Sequence, residues 1–340
     1  MSERARKSPP RLPLKVKFML ATHTFGSDAA RRSDLTVNRS LLSVFDPKVP
    51  ASAKPIDGVT SFDTSIDHHD GNLWFRLYNP TTAPTGGSRM PLIVYFHGGG
   101  FFSMGADTKR FDQLCRRFTR EVPAVVISVN YRLAPEYQYP LQYQDGFDAL
   151  KFIDGMNFEN FSANVDLGQC FMAGDGAGGN LAHYVTLRAS EYDFSNLKII
   201  GLIALQPFFG GKERTESEIN LDGVAPVLSV ERTDWAWKAF MPQGSDRNHH
   251  TINVFGPNGE DISGKKFPPT LVFAGGFDIL QDWQRKYCEG LKKCGKEVRL
   301  VEYPDAIHGF YTVPELPETS LMMGEVRAFV QNRLRSLINE

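Results

Sequence analysis

The apolar run Cys170-Phe171-Met172-Ala173 passes directly into Gly174-Asp175-Gly176-Ala177-Gly178-Gly179-Asn180, and residues 180–190 continue with helical spacing. Gly174 and Gly178 flank a turn so tight that larger side chains would clash, so a strand gives way to a helix within a few residues. A strand coupled so closely to a helix belongs to a βαβ arrangement, and therefore to a sheet whose parallel strands are covered by helices. The rest of the chain repeats the pattern. Apolar strands are predicted at 92–96, 124–130, 169–173, 199–206, 270–274 and 298–303. Helices are predicted between and after them, at 108–120, 141–152, 180–190, 282–293 and 321–337. The expectation is an α/β class fold with a mostly parallel central sheet and helices on both faces.

Three segments depart from this rhythm. Residues 59–66 and 73–78 alternate apolar and polar positions around Asp-His-His-Asp-Gly-Asn, which reads as a hairpin forming an antiparallel edge. Residues 208–268 interrupt the alternation and are expected to be inserted cap helices over the sheet. Residues 14–25 and 36–45 carry apolar residues at helical spacing ahead of any strand, as an N-terminal lid over residues 14–50 or a plain packing layer. Residues 1–13 read as a mobile tail and 84–88 as a flexible connection, leaving 14–340 as one domain, a usual size for a large α/β fold.

Bulk properties exclude several classes. Thirty-eight basic and 39 acidic residues give a formal net charge of −1, so nothing in the balance points to nucleic acid. Arg4, Arg6, Lys7 and Arg11 read as a solvated tail. The four cysteines lack metal-binding spacing and read as reduced structural thiols, and no metal or other cofactor is called for. The adjacent pairs His68-His69 and His249-His250 have no completing ligand and read as surface histidines. Trp235 and Trp237 are expected in the core. No apolar run suits a leader or a membrane span, so the expected setting is soluble, cytoplasmic or also nuclear, without membrane association.

Two further motifs bring chemistry to the same sheet. His97-Gly98-Gly99-Gly100-Phe101 follows the strand at 92–96, and consecutive glycines let backbone N–H groups converge on one point, as an oxyanion hole requires. The expected donors are Gly98, Gly99 and Ala177, the last at a helix start where the peptide dipoles favour negative charge. After two late strands come Asp278, in Gly-Gly-Phe-Asp, and His308, in Asp-Ala-Ile-His-Gly-Phe. Elbow, acid, histidine is the chain order of the α/β-hydrolase triad, in which the acid fixes the histidine tautomer. At the nucleophile position itself stands Gly176, which has no side-chain atom to attack with. No catalytic role is assigned to Asp175, which is expected to touch the lid or the oxyanion loop.

With these motifs the chain resembles the hormone-sensitive-lipase-type carboxylesterases. The resemblance rests on His97–Phe101, Asn130-Tyr131-Arg132-Leu133-Ala134-Pro135-Glu136, Gly174–Asn180 and His308-Gly309-Phe310. Thr36–Arg39, Pro55–Val59, Glu213–Glu218, Asp234–Phe240 and Asp282–Gln284 look like plant carboxylesterases of the 18-like type and the related gibberellin receptors. The resemblance covers roughly residues 12–336 and implies an α/β-hydrolase fold, a lid over a small-molecule pocket, and a small apolar metabolite or ester as ligand. Gibberellin receptors keep the elbow serine but replace the triad histidine with an aliphatic residue, and they read His-Gly-Gly-Ser. This chain does the reverse, keeping His308 and Gly100 and lacking the serine. Three readings stay open: an esterase whose serine was exchanged for glycine to trap a ligand, a native site reused for non-covalent hydrolase, lyase or cyclase chemistry, and a binding protein whose lid offers a surface to a protein partner.

Overall fold

The computed structural model describes residues 8–66, 73–82, 89–161 and 164–339. The expected hairpin turn at 67–72 (with His68 and His69), the connection at 84–88 and most of the N-terminal tail lie outside these residues. An eight-stranded sheet among them runs β1 (Val59–Ser65), β2 (Trp74–Pro80), β3 (Met90–Phe96), β4 (Val125–Asn130), β5 (Val165–Asp175), β6 (Ile199–Leu205), β7 (Thr270–Phe277) and β8 (Val298–Ile307) in sequence. In space the order is β1-β2-β4-β3-β5-β6-β7-β8. The β1–β2 and β2–β4 pairs are antiparallel and the rest parallel, so the hairpin does form an antiparallel edge.

Helices α1 (Leu14–Ala30) and α2 (Arg39–Phe45) precede the sheet. The crossovers are α3 (Lys109–Glu121), α4 (Leu141–Asp154) and α5 (Ala177–Ala189). Helices α6 (Glu216–Leu221) and α7 (Val230–Phe240) follow β6, α8 (Gln281–Lys293) follows β7 and α9 (Pro317–Asn339) closes the chain. Covering both faces explains why β3 is apolar without alternation: every residue from Met90 to Phe96 is buried. Each such Leu, Ile or Val contributes about 1.5–3 kcal/mol by leaving water. Helix α3 shows the matching stripe, with Phe111, Leu114, Cys115 and Phe118 buried at helical spacing.

Four segments differ from the sequence expectation. Helix α1 runs past Phe25 to Ala30, straight through Gly26-Ser27-Asp28. A Cβ at position 26 would overlap the Phe45 ring, so this glycine is a contact surface for α2 and not a helix stop. Strand β5 begins at Val165, four residues early, because pairing of Met90 and Pro91 with Val165 and Asp166 recruits a polar stretch. Helix α9 starts at Pro317, where a proline with no N–H fits the first helical turn. The 208–268 insertion holds only α6 and α7. Its longest non-helical stretch, 241–268, is turns and irregular backbone, held in part by Asn180 Nδ2 donating to Thr251 O.

Candidate active site

The sheet order places the candidate residues together. β3 and β5 are neighbours, while the chain runs from β3 to β4 on one side and later fills the other side with β5 to β8. This reversal opens a crevice beyond the carboxyl ends of the strands. The glycine loop leaves β3 there, the elbow leaves β5, Asp278 follows β7 and His308 follows β8.

The elbow is fixed by close backbone contacts. A Cβ on Gly174 would overlap the Gly178 carbonyl, and one on Gly178 would overlap the Phe96 carbonyl, so these glycines are sterically required. Gly176 is different. It has φ +50° and ψ −116°, a conformation that L-residues rarely adopt, yet a Cβ there would meet only His308, with Nε2 at 3.5 Å and Cε1 at 3.9 Å. Its amide donates to Leu205 O at 3.0 Å, and its carbonyl accepts from Phe208 N at 2.8 Å. Space beside Gly176 therefore faces the imidazole directly.

His308 Nδ1 lies 2.8 Å from Asp278 Oδ2. Asp278 is itself held by Leu280 N–H at 3.0 Å on Oδ1 and by Gln284 Nε2 at 2.9 Å on Oδ2. Burial penalises the charged imidazole, but the charge and hydrogen bond of Asp278 outweigh it and hold the His308 pKa above the usual histidine value. A residue that sequence reading passed over completes the support. Gln206 is fully buried at the end of β6, and its side chain accepts from Gly309 N–H at 2.8 Å and donates to Ile307 O at 3.2 Å. It clamps both sides of His308. No sequence pattern announces Gln206; its left-handed backbone, φ +44°, is visible only in the fold.

The glycine loop requires one correction. The Gly98 N–H is not a free donor, because it donates to Asp175 Oδ1 at 2.7 Å. Asp175 also accepts from Tyr95 Oη and, at 3.0 Å, from Tyr311 Oη. Burial raises its pKa to about 6 against the pull of these three donors. Asp175 thus braces the loop, and the N–H groups of Gly99 and Gly100, which line the cavity with Ala177, have no acceptor among the described residues. Ala177 is the first residue of α5, so its N–H has no helical partner. His97 is buried and stacked on Tyr131 with centroids 4.3 Å apart, and the Tyr131 hydroxyl donates to His97 O at 2.7 Å. Burial pushes the His97 pKa down to about 4, which makes it a neutral strut.

A cavity of about 130 Å³ lies over these groups. Its walls include Gly176 and His308 below, His23 and Ser27 of α1 above, and Thr233 and Ala236 of α7 at the side. The N-terminal segment therefore covers the cavity; it is tied to α7 by Asp28, which accepts from Arg232 Nε at 2.9 Å, and by Arg31, which donates to Glu231 at 3.1 Å. Trp235 and Trp237 are buried: Trp235 packs on Phe102 and donates to Arg32 O, and Trp237 stacks on Phe208. His249 and His250 are partly buried against Tyr139 instead of lying open on the surface, since the turn that carries them folds under the ring. Among the described residues no group of three metal-ligating side chains occurs, and no helix is long and apolar enough to cross a membrane. All four cysteines are free thiols.

Residues 93–312 match a family model described as the alpha/beta hydrolase fold. The chain belongs to the α/β-hydrolase family. Within that family, this α/β hydrolase is 42% identical to the gibberellin receptor GID1C of Arabidopsis thaliana over 330 residues, covering 94% of each chain. It is 36% identical to probable carboxylesterase 6 of the same plant over 305 residues, covering 87% of each. Among solved structures it resembles a hyperthermophilic esterase from the archaeon Pyrobaculum calidifontis, with a TM-score of 0.73, 25% identity and coverage of 94% of this chain and 98% of the other. The comparisons place it close to both receptors and carboxylesterases, the two groups that the residue motifs indicate.

Proposed function

We propose that this α/β hydrolase carries out general-base chemistry on a small, largely apolar metabolite or ester without forming an acyl-enzyme. One observation carries the reading: an Asp278–His308 pair, doubly braced, whose Nε2 looks into the cavity beside an elbow that has no nucleophile. With Nδ1 engaged by Asp278, the neutral tautomer leaves Nε2 as the proton acceptor. His308 takes a proton from water or from a substrate carbon, and the Gly99, Gly100 and Ala177 N–H groups stabilise the resulting oxyanion or enolate. Without a serine Oγ the covalent route is closed, so the outcome is direct hydrolysis, elimination or cyclisation. The groups that remain when a triad nucleophile is lost still supply about 10³–10⁴-fold over water. No metal or organic cofactor enters this scheme.

A second reading is favoured by the 42% identity to a gibberellin receptor and by the helix covering the cavity. In it the pocket only binds its ligand, and the closed lid presents a surface to a protein partner. Screening a metabolite library against the unmodified chain and His308→Ala separates the two. Turnover that disappears in His308→Ala supports general-base chemistry. Ligand binding without turnover, unchanged in His308→Ala, supports the receptor-like reading and removes the enzymatic one.

A further inference from the structure

Arg110, in the first turn of α3, lines the cavity and makes no hydrogen bond or ion pair with any described residue. The other two arginines on the cavity wall are satisfied: Arg31 pairs with Asp28 and Glu231, and Arg232 pairs with Asp28. The carboxylates that face Arg110 are also occupied. Asp46 is bound by Lys48 at 3.0 Å, and Asp175 is held by Tyr95, Tyr311 and Gly98. His23, on the lid side, is kept neutral by burial, with its pKa lowered to about 3. A largely apolar chamber thus holds one guanidinium, partly shielded from water, with its donors unspent. An arginine in that setting is costly unless a partner arrives with the ligand, and its planar fork matches a carboxylate.

We propose that Arg110 is the anion-binding residue of this pocket, and that the ligand is a compact, mostly apolar molecule carrying a carboxylate. The size follows from the cavity, whose roughly 130 Å³ is close to the ~150 Å³ of an engineered protein cavity that binds benzene. The carboxylate sits at Arg110, on the side of the chamber built from α3. The carbonyl or acidic carbon to be processed lies toward Gly176 and His308. This inference rests on the reading of the cavity as the functional pocket, and it names the substrate class for that site.

The test measures binding of phenylacetate and of its neutral counterpart phenylacetamide by calorimetry to the unmodified chain, Arg110→Gln and Arg110→Lys. Phenylacetate is expected to bind about tenfold or more tighter than the amide, as a charge-assisted fork allows. Arg110→Gln is expected to abolish that preference and Arg110→Lys to keep part of it, because an ammonium retains the charge without the fork. Equal affinity for acid and amide, no binding of either at millimolar concentration, or a preference that survives in Arg110→Gln would each overturn the proposal. Survival in Arg110→Gln would assign Arg110 to screening Asp175 instead. A parallel assay of Gly176→Ser on neutral p-nitrophenyl acetate keeps the two readings apart. A gain of esterase activity without any acid preference sinks only the role of Arg110, whereas an Arg110-dependent preference without that gain sinks only the reading of the dyad.

Discussion

Replacing Gly176 with serine makes the sharpest demand on this geometry. A Cβ at position 176 would stand 3.5 Å from His308 Nε2 and 3.9 Å from Cε1, both ordinary van der Waals contacts, and would meet no other described atom outside its chain neighbours within 4 Å, so there is room for a side chain. The backbone decides the cost. At φ +50° and ψ −116° the residue lies outside the basins open to L-residues, and holding a side chain there costs about 1–3 kcal/mol. At about 2 °C per kcal/mol for a chain of this size, Gly176→Ser and Gly176→Ala should both lower Tm by roughly 2–6 °C. Only the serine variant gains a hydroxyl within reach of the imidazole. It should show a burst of p-nitrophenol from p-nitrophenyl acetate, with turnover about 10²-fold or more above the unmodified chain. Loss of the nucleophile in an unrelated serine protease costs about 10⁶, which bounds the gain. Differential scanning fluorimetry and stopped-flow release supply the two readouts. A folded Gly176→Ser without a burst would show that Oγ is not aligned with His308. Unchanged Tm in both variants would show that the elbow stores no strain.

Four other residues carry expected outcomes. Turnover that depends on His308 should rise with pH through a midpoint above 6.5, because Asp278 raises its pKa. The stability that this pair contributes runs the other way, present in full below about 6.5 and lost as pH rises through the folded pKa, so a Tm difference from His308→Asn that grows with pH would refute the assignment. Buried His183, with its pKa lowered to about 3, binds fewer protons folded than unfolded between there and about 6.5, so stability should fall as pH drops through that window by up to about 1.4 kcal/mol per unit. His183→Phe should flatten the acid slope of urea midpoints by up to that amount, and an unchanged slope speaks against it. Asp175→Ala strands two tyrosine hydroxyls and the Gly98 N–H, at about 1–3 kcal/mol for each unsatisfied group, and a wild-type denaturation midpoint would contradict the bracing role. Asp28→Asn weakens a half-exposed latch worth about 1 kcal/mol or less, so amide exchange across 14–30 should speed up by up to about fivefold, and unaltered protection would place the lid's anchorage elsewhere.

Much of this protein was legible in local sequence. The strand–helix alternation specifies the parallel sheet because two-faced burial demands unbroken apolar strands such as Met90–Phe96. Gly174 and Gly178 announce the elbow because backbone atoms occupy the places where their side chains would lie. Asp278 and His308 were readable from chain order, and Gly176 from its motif. The tertiary structure decided what depends on groups far apart in the chain. Gly98 looks like its neighbours in sequence, but Asp175 reaches it across 77 residues and takes its N–H, which leaves Gly99 and Gly100 as the cavity-lining glycines whose N–H has no acceptor among the described residues. Gln206 becomes a clamp only once β6 lies beside β7 and the His308 loop. The apolar helical spacing gives out at Phe25, and only the Phe45 ring packed against Gly26 shows why α1 continues to Ala30. Arg110 reads as an ordinary helical arginine until folding sets it in the cavity wall with no hydrogen-bond or ion-pair partner among the described residues. Local steric rules write strands, turns and tight glycines into the sequence, whereas a hydrogen bond or a charge has no meaning until folding determines what stands opposite it.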